Sequence, residues 1–442
     1  MTIAKSIRAG IFIYALATGI IVKAQPKNDS LLAEATLPNV IQYALKNNTF
    51  IQQSVIDQEI VDLEIKSKLS EWYPQINFNY LFQHNFQLPT TVFAGNTVKI
   101  GVNNTSAIQF LGTQTIFNRD VIFASRTKKD IRLQAMQQTS RARIDLSVDV
   151  YKAFYDVLVT EQQIKVQIAN ILRLDRSLKD AKAQYDAGTV DKTDYKRATI
   201  SLNNAVAQKA IYEQQLRAKL ETLKSLMNYP PPAPLHILYD SAELEKDIFL
   251  DTSSLLDYTQ RIEFQILQTQ RKLQMANISY NKWAFLPSLS ANGAYISNYL
   301  NDSFNKLYNN SFPNSYAGLT LALPIFQGGK RKHELEIAKR QLKQTELDII
   351  SLRNSVNTEY TAALGTYSAA LTAYAASKSN LQLAQEVYDV VNLQYRSGVK
   401  TYLEVTTAET DLRTSQIIYY NALYEVLTSK IEVQRATGVI KY

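Results

Sequence analysis

The stretch Gln75-Ile-Asn-Phe-Asn-Tyr-Leu-Phe-Gln83 alternates residue by residue. Ile76, Phe78, Tyr80 and Phe82 fall on one face, with Gln75, Asn77, Asn79 and Gln83 on the other. A period of two is the signature of a strand with chemically different surroundings on its two sides, because successive side chains point in opposite directions. The alternating region extends over 75–88, and a Gly/Asn-rich loop around Gly95–Asn104 then leads to a second, less regular strand, 105–117. Further along, 287–299 places Leu289, Ala291, Gly293, Tyr295 and Tyr299 on one side. A loop at Asn301–Asn314 follows, and 315–324 places Ala317, Leu319, Leu321 and Leu323 on one face. These are two hairpins of about ten residues per strand, a length that spans a bilayer. Aromatic residues crowd the strand ends, and Trp72, Tyr73, Trp283 and Phe285 are the expected membrane-interface residues.

Outward from the hairpins, glycine and proline are sparse. Gly188 is the only glycine between Gly112 and Pro230, and no proline follows Pro324. Such stretches permit long helices, with a turn at an isolated glycine. In 349–374 the apolar positions Ile349, Leu352, Val356, Tyr360, Ala363, Tyr367, Leu371 and Tyr374 recur at helical steps. Ile144, Val148, Tyr151, Tyr155 and Leu158 do the same in the first half. Helices over 118–186 and 327–396 would each run about 100 Å, and the shorter helices, 38–72 with 190–228 and 255–284 with 401–437, would stack to a similar length.

The two halves repeat one plan. Trp72 and Pro74 match Trp283 and Pro287 at offsets of 211 and 213, Ile116-Phe117 matches Ile325-Phe326 at 209, and Tyr185-Asp-Ala-Gly188 matches Tyr395-Arg-Ser-Gly398 at 210. This predicts a first repeat over 25–228, a joining segment over 229–254 and a second repeat over 255–442. Ahead of them, Lys5 and Arg8 precede an apolar run from Ala9 to Val22, with Ala24 before Gln25. Residues 1–24 therefore read as a secretory signal peptide.

Composition excludes several functions. Cysteine is absent, and His84, His236 and His333 are scattered, so no metal centre or cofactor site is expected. The net charge of +8 falls to +5 without Lys5, Arg8 and Lys23, and the cations are interspersed with acids along helical faces. No nucleic-acid partner is expected. No Gly-x-Ser-x-Gly, phosphate loop or histidine–acid grouping is present, so the chain is not expected to be an enzyme. Four strands cannot close a barrel, and open edges in lipid leave backbone groups unsatisfied, so several chains must pool their strands. Two, three or four copies satisfy that requirement. A soluble coiled-coil scaffold is the alternative from another class, and the period-two hairpins count against it.

Pro324-Ile-Phe-Gln-Gly-Gly329 with the charged helix after it, the paired Trp/Pro strand entries, the two Tyr-x-x-Gly turns and Ala44-Leu-Lys-Asn-Asn48 together resemble the TolC-like outer-membrane factor family over essentially the whole mature length. The resemblance implies a mixed α and β fold. It would be a homotrimer whose 12-stranded transmembrane β-barrel continues into a periplasmic α-helical barrel, with 229–254 as an equatorial segment. It implies an exit duct in the bacterial outer membrane that meets outer-membrane lipid, a periplasmic adaptor and an inner-membrane transporter. The cargo would be small molecules, or protein in the export variant.

The resemblance also points to the turns at Gly188 and Gly398, the far tip of the helices. In the family two acids three residues apart ring the closed aperture. Here Glu404 matches the first and Thr407 stands at the second, with Asp411 one turn further as a partial replacement. The family's tip-closing contacts would fall on Tyr395 and Lys400 of the second copy and on Thr193 and Asp194 of the first.

Overall fold

The computed structural model describes residues 32, 34–189, 191–239, 241–250 and 256–440. The expected signal segment, 1–24, lies outside them. Helix α1 (Leu37–Asn47) leads into α2 (Thr49–Ser70), then come strands β1 (Gln75–His84), β2 (Thr90–Phe93), β3 (Asn96–Lys99) and β4 (Asn104–Phe117). Helix α3 (Arg119–Asp186) runs to the tip and α4 (Lys192–Met227) returns. After the short α5 (Ser241–Asp247), the order repeats as α6 (Ile262–Lys282), β5 (Ser288–Asn301), β6 (Phe312–Ala322), α7 (Lys330–Arg396) and α8 (Tyr402–Thr437). At 68 and 67 residues, α3 and α7 are each about 100 Å long.

The helix expected over 38–72 is broken at Asn48, whose ψ of 127° is extended. Its Oδ1 accepts from the backbone N–H groups of Phe50 (2.9 Å) and Ile51 (3.2 Å), capping α2. Its Nδ2 donates to the Leu226 carbonyl at 2.8 Å, tying this break to the end of α4. Residues 96–99, within the stretch read as loop, pair with 90–93 to form the hairpin β2–β3 instead. Ala94 (φ 50°) and Gly95 (φ 84°) supply its two-residue turn, both in the left-handed region that such turns require. The strand after it, β4, is regular over ten consecutive pairs with β1.

The main sheet has the order β1-β4-β5-β6, all antiparallel. Phe78 pairs with Phe110, Phe110 with Tyr295, and Tyr295 with Ser315, so these four share a face. The same registers put Asn79, Gln109, Ile296 and Asn314 on the opposite face. One face of the sheet is thus aromatic and aliphatic, the other mostly amide and hydroxyl. β1 and β6 are the edge strands, exposed along their whole length.

The core lies midway along the bundle. Val148, Tyr155 and Leu158 of α3 pack there with Leu223 and Met227 of α4, Tyr367 and Tyr374 of α7, and Leu427 of α8. The joining segment is part of that core: Tyr229, Leu235, Ile237, Leu244 and Ile248 are buried. Glu245 fastens it, accepting from Lys378 Nζ and Tyr419 OH at 2.6 Å each. Helix α3 is the hub, packing on α2, α4, α6 and α8, whereas α7 packs on α6 and α8.

Candidate functional site

The tip is built from two matching turns. At the end of α3, Gly188 (φ 74°) donates to the Tyr185 carbonyl and Thr189 to that of Gln184. At the end of α7, Gly398 (φ 81°) donates to Tyr395 and Val399 to Gln394. This is the glycine-terminated helix end, in which a left-handed residue lets the chain fold back over the last carbonyls. Each return helix is then capped: Asp191 Oδ1 accepts from Thr193 N at 3.2 Å, and Thr401 forms a reciprocal capping box with Glu404.

Glu404 is the most heavily bonded of the predicted residues. Its Oε1 takes the Lys400 ammonium at 2.6 Å, while Oε2 accepts from Thr401 N (2.9 Å) and Oγ1 (3.0 Å). First the ammonium, then the two Thr401 donors, hold this exposed carboxyl down at about 2. Thr407, exposed, donates its hydroxyl back to the Leu403 carbonyl at 2.9 Å. Glu404, Thr407 and Asp411 lie at i, i+3 and i+7, on the side of α8 opposite the buried Tyr402, Val405 and Leu412.

The expected cross-tip contacts are not those the chain makes. Lys400, in the turn before α8, pairs with Glu404 in the first turn of that helix, and Tyr395 OH donates to Gln184 Oε1 at 3.4 Å instead of reaching Thr193 or Asp194. The reason is proximity: a lysine four residues before a glutamate already fixed by its cap reaches it with little further ordering. Thr193 and Asp194 remain in the first turn of α4, where their N–H groups bond to Asp191. The halves meet through packing, with Tyr402 and Tyr395 set against Leu178, Ala181 and Ala198.

Two charged sites went unread in the sequence. Arg173 of α3 donates from Nε to Glu409 Oε1 of α8 at 3.1 Å, and the Glu409 side chain is only 5% exposed. Burial pushes the Glu409 carboxyl up, and Arg173 offsets this only in part. A lone glutamate beside Ala408 and three residues before Leu412, on an otherwise inward face, was the available signal. The second is Arg261, buried and bonded to Glu263, Glu359 and the Arg435 carbonyl, which joins α6, α7 and α8.

At the strand end, aromatic rings and guanidinium groups alternate. Arg126 lies over Trp283 (4.7 Å), Arg331 over Phe285 (4.7 Å) and Arg119 over Tyr280 (4.3 Å). Trp72 and Tyr73 are exposed at the matching place in the first half. Among the described residues, no helix is long and apolar enough to cross a membrane.

A family model described as "Outer membrane efflux protein" matches residues 40–229 and 260–439. The outer membrane efflux protein BepC of Brucella suis is 23% identical over 416 residues, 91% of this chain and 85% of the relative. The solvent efflux pump outer membrane protein SrpC of Pseudomonas putida is 24% identical over 446 residues, covering 95% and 88%. Among solved structures, CusC superposes with a TM-score of 0.74 at 16% identity, covering 95% of both chains.

Proposed function

The chain belongs to the outer membrane efflux protein family, and on that footing we propose that it is the outer-membrane exit duct of a tripartite efflux system, working as a homotrimer. The observation that carries the reading is the four-stranded sheet with both edges bare and two faces of opposite chemistry. In lipid each unpaired backbone group costs several kcal/mol, so the edges of β1 and β6 must find partners. The face with Phe78, Phe110, Leu319 and Leu321 meets acyl chains, and the face with Asn79, Gln109 and Asn314 meets water. Two copies would make eight strands, whose interior side chains fill. Three make twelve, the smallest multiple that leaves a lumen.

The 25–228 and 255–442 repeats supply alternate columns of a helical tunnel below the barrel. At its tip, three copies of Glu404, Thr407 and Asp411 face the axis as the aperture. A periplasmic adaptor docks on the helical exterior and links the duct to an inner-membrane transporter. Cargo moves passively, without chemistry, and small molecules suit a lumen lined by amides and hydroxyls.

The test is assembly and conduction together. Protein extracted in detergent should give a trimer mass by native mass spectrometry, and the trimer should form cation-selective pores in planar bilayers. A monomer that stays helical in detergent-free buffer would overturn the reading.

A further inference from the structure

The junction between the two repeats inside one chain is a template for the junction between copies. We infer that β6, with Leu323 directly after it, pairs with β1 of a second copy in one register, Ala317 opposite His84 through Leu323 opposite Phe78. The inference rests on the oligomeric duct proposed above and specifies the seam that closes it.

Strands β1 and β5 begin immediately after Pro74 and Pro287, which sets their equivalence at 213 residues. Phe117 and Phe326 set that of β4 and β6 at 209. A check lies within the chain. Applied to the first hairpin, these offsets convert Gln75↔Thr113 into Ser288↔Ala322, and His84↔Asn104 into Ser297↔Pro313. Both are pairings that β5 and β6 make.

The in-chain junction is β4 against β5, with Ile108↔Ser297, Phe110↔Tyr295, Gly112↔Gly293 and Gln114↔Ala291. Moving β4 forward by 209 and β5 back by 213 turns these into Ala317↔His84, Leu319↔Phe82, Leu321↔Tyr80 and Leu323↔Phe78. Every pair matches apolar face to apolar face. They also unite residues that one chain leaves bare: Leu319 and Leu321 are 71% and 66% exposed, Phe78 and Tyr80 59% and 54%. Cross-strand aromatic–aliphatic pairs of this kind are the favourable unit of a sheet. A shift by one residue would turn Leu319 and Leu321 toward the amide face.

The same operation places α2 of the second copy on α7, as α6 sits on α3 within the chain. The exposed Ile56, Ile60 and Leu63 of α2 and Leu347 and Ile350 of α7 are the apolar residues left for that contact.

The chain lacks cysteine, so thiols can be placed freely. On the lumen face the register puts Ala322 opposite Asn79 and Thr320 opposite Leu81 of the neighbour. Ala322→Cys with Asn79→Cys, and Thr320→Cys with Leu81→Cys, would be treated with copper phenanthroline or a short bis-methanethiosulfonate. Ala322→Cys with Gln83→Cys reports a four-residue slip. Native mass spectrometry of the untreated variants reads oligomer size independently. The expected result is loss of most monomer to a covalent trimer for the first two pairs and little for the third. Trimers that link best through the third pair, or through none, overturn the register and leave the duct standing. Absence of trimer in the native spectrum overturns the duct itself.

Discussion

Lys400, just before the cap of α8, and Glu404, in its first turn, form an ion pair of 2.6 Å at the level of the Gly398 turn. The carboxylate assigned to the aperture therefore has a cation beside it in its own chain, and three copies of the pair carry less negative potential than three free acids. Lys400→Ala should raise cation selectivity above wild type, and Glu404→Ala should lower it. Reversal potentials in a salt gradient read both. If neither moves, the ring lies elsewhere, and Asp411 on the same face is the next residue to change.

The Glu404 carboxyl sits near 2, below the ordinary 4.5. Its capping contribution is therefore complete above 4.5 and is lost as pH falls from there toward 2. Glu409 has the opposite sign, because burial raises its carboxyl above 4.5. Stability should fall as pH rises from 4.5 through that raised value, and Glu409→Gln should flatten this part of the profile. Arg173→Met would leave the carboxylate without its partner and cost about 1–3 kcal/mol at neutral pH. Thermal unfolding of detergent-solubilised protein from about pH 2 to about pH 8 covers both windows and measures both slopes. A slope unchanged in Glu409→Gln would remove Glu409 from the account.

Two glycines with positive φ should respond differently to alanine. At Gly398 (φ 81°) a Cβ meets nothing within 4 Å, so Gly398→Ala carries only the left-handed penalty, about 1–2 kcal/mol. At Gly438 (φ 76°) a Cβ would lie 3.1 Å from the Gln260 carbonyl carbon and 3.2 Å from Arg261 N. The backbone that carries the buried Arg261 would have to shift. Gly438→Ala should therefore lower the melting temperature clearly more than Gly398→Ala; equal shifts would show that this junction yields.

The strands were legible because the two faces of the sheet carry opposite chemistries on alternate residues, as in Ile76 to Phe82. The long helices were legible from the inward seam Val356, Tyr367 and Tyr374, all buried. The break at Asn48 was not, since apolar spacing continues across it and only a side-chain cap interrupts the backbone. The β2–β3 turn escaped because Ala94 in the left-handed region has no compositional mark. At the tip the family resemblance points to Lys400, Glu404, Asp194 and Thr193 together. The sequence does not show which acid takes the lysine, a choice made by the Thr401 capping box. Arg173 and Glu409 stand 236 residues apart, and only the packing of α8 on α3 brings them together.

That packing also states how the tip would open. Near the tip the second repeat is held to the first by the Arg173–Glu409 pair between α3 and α8, and by Tyr395 of α7 and Tyr402 of α8 against Leu178 and Ala181 of α3 and Ala198 of α4. The Tyr395–Gln184 hydrogen bond, long at 3.4 Å, adds little. Arg173→Glu would set two carboxylates face to face and replace attraction with repulsion in every chain, whereas Tyr395→Phe removes only the weak bond. Near the strands α3 and α6 keep Gln134–Gln270 and Asp120–Tyr280, each 2.7 Å, so assembly should survive. Arg173→Glu should therefore raise single-channel conductance or open probability while the trimer persists on native gels, and Tyr395→Phe should stay close to wild type. Restoring the opposite charge with Glu409→Arg should bring conductance back down, which a merely loosened fold would not do. Wild-type conductance in a well-assembled Arg173→Glu trimer would show that the α3–α8 contact is not what holds the aperture closed.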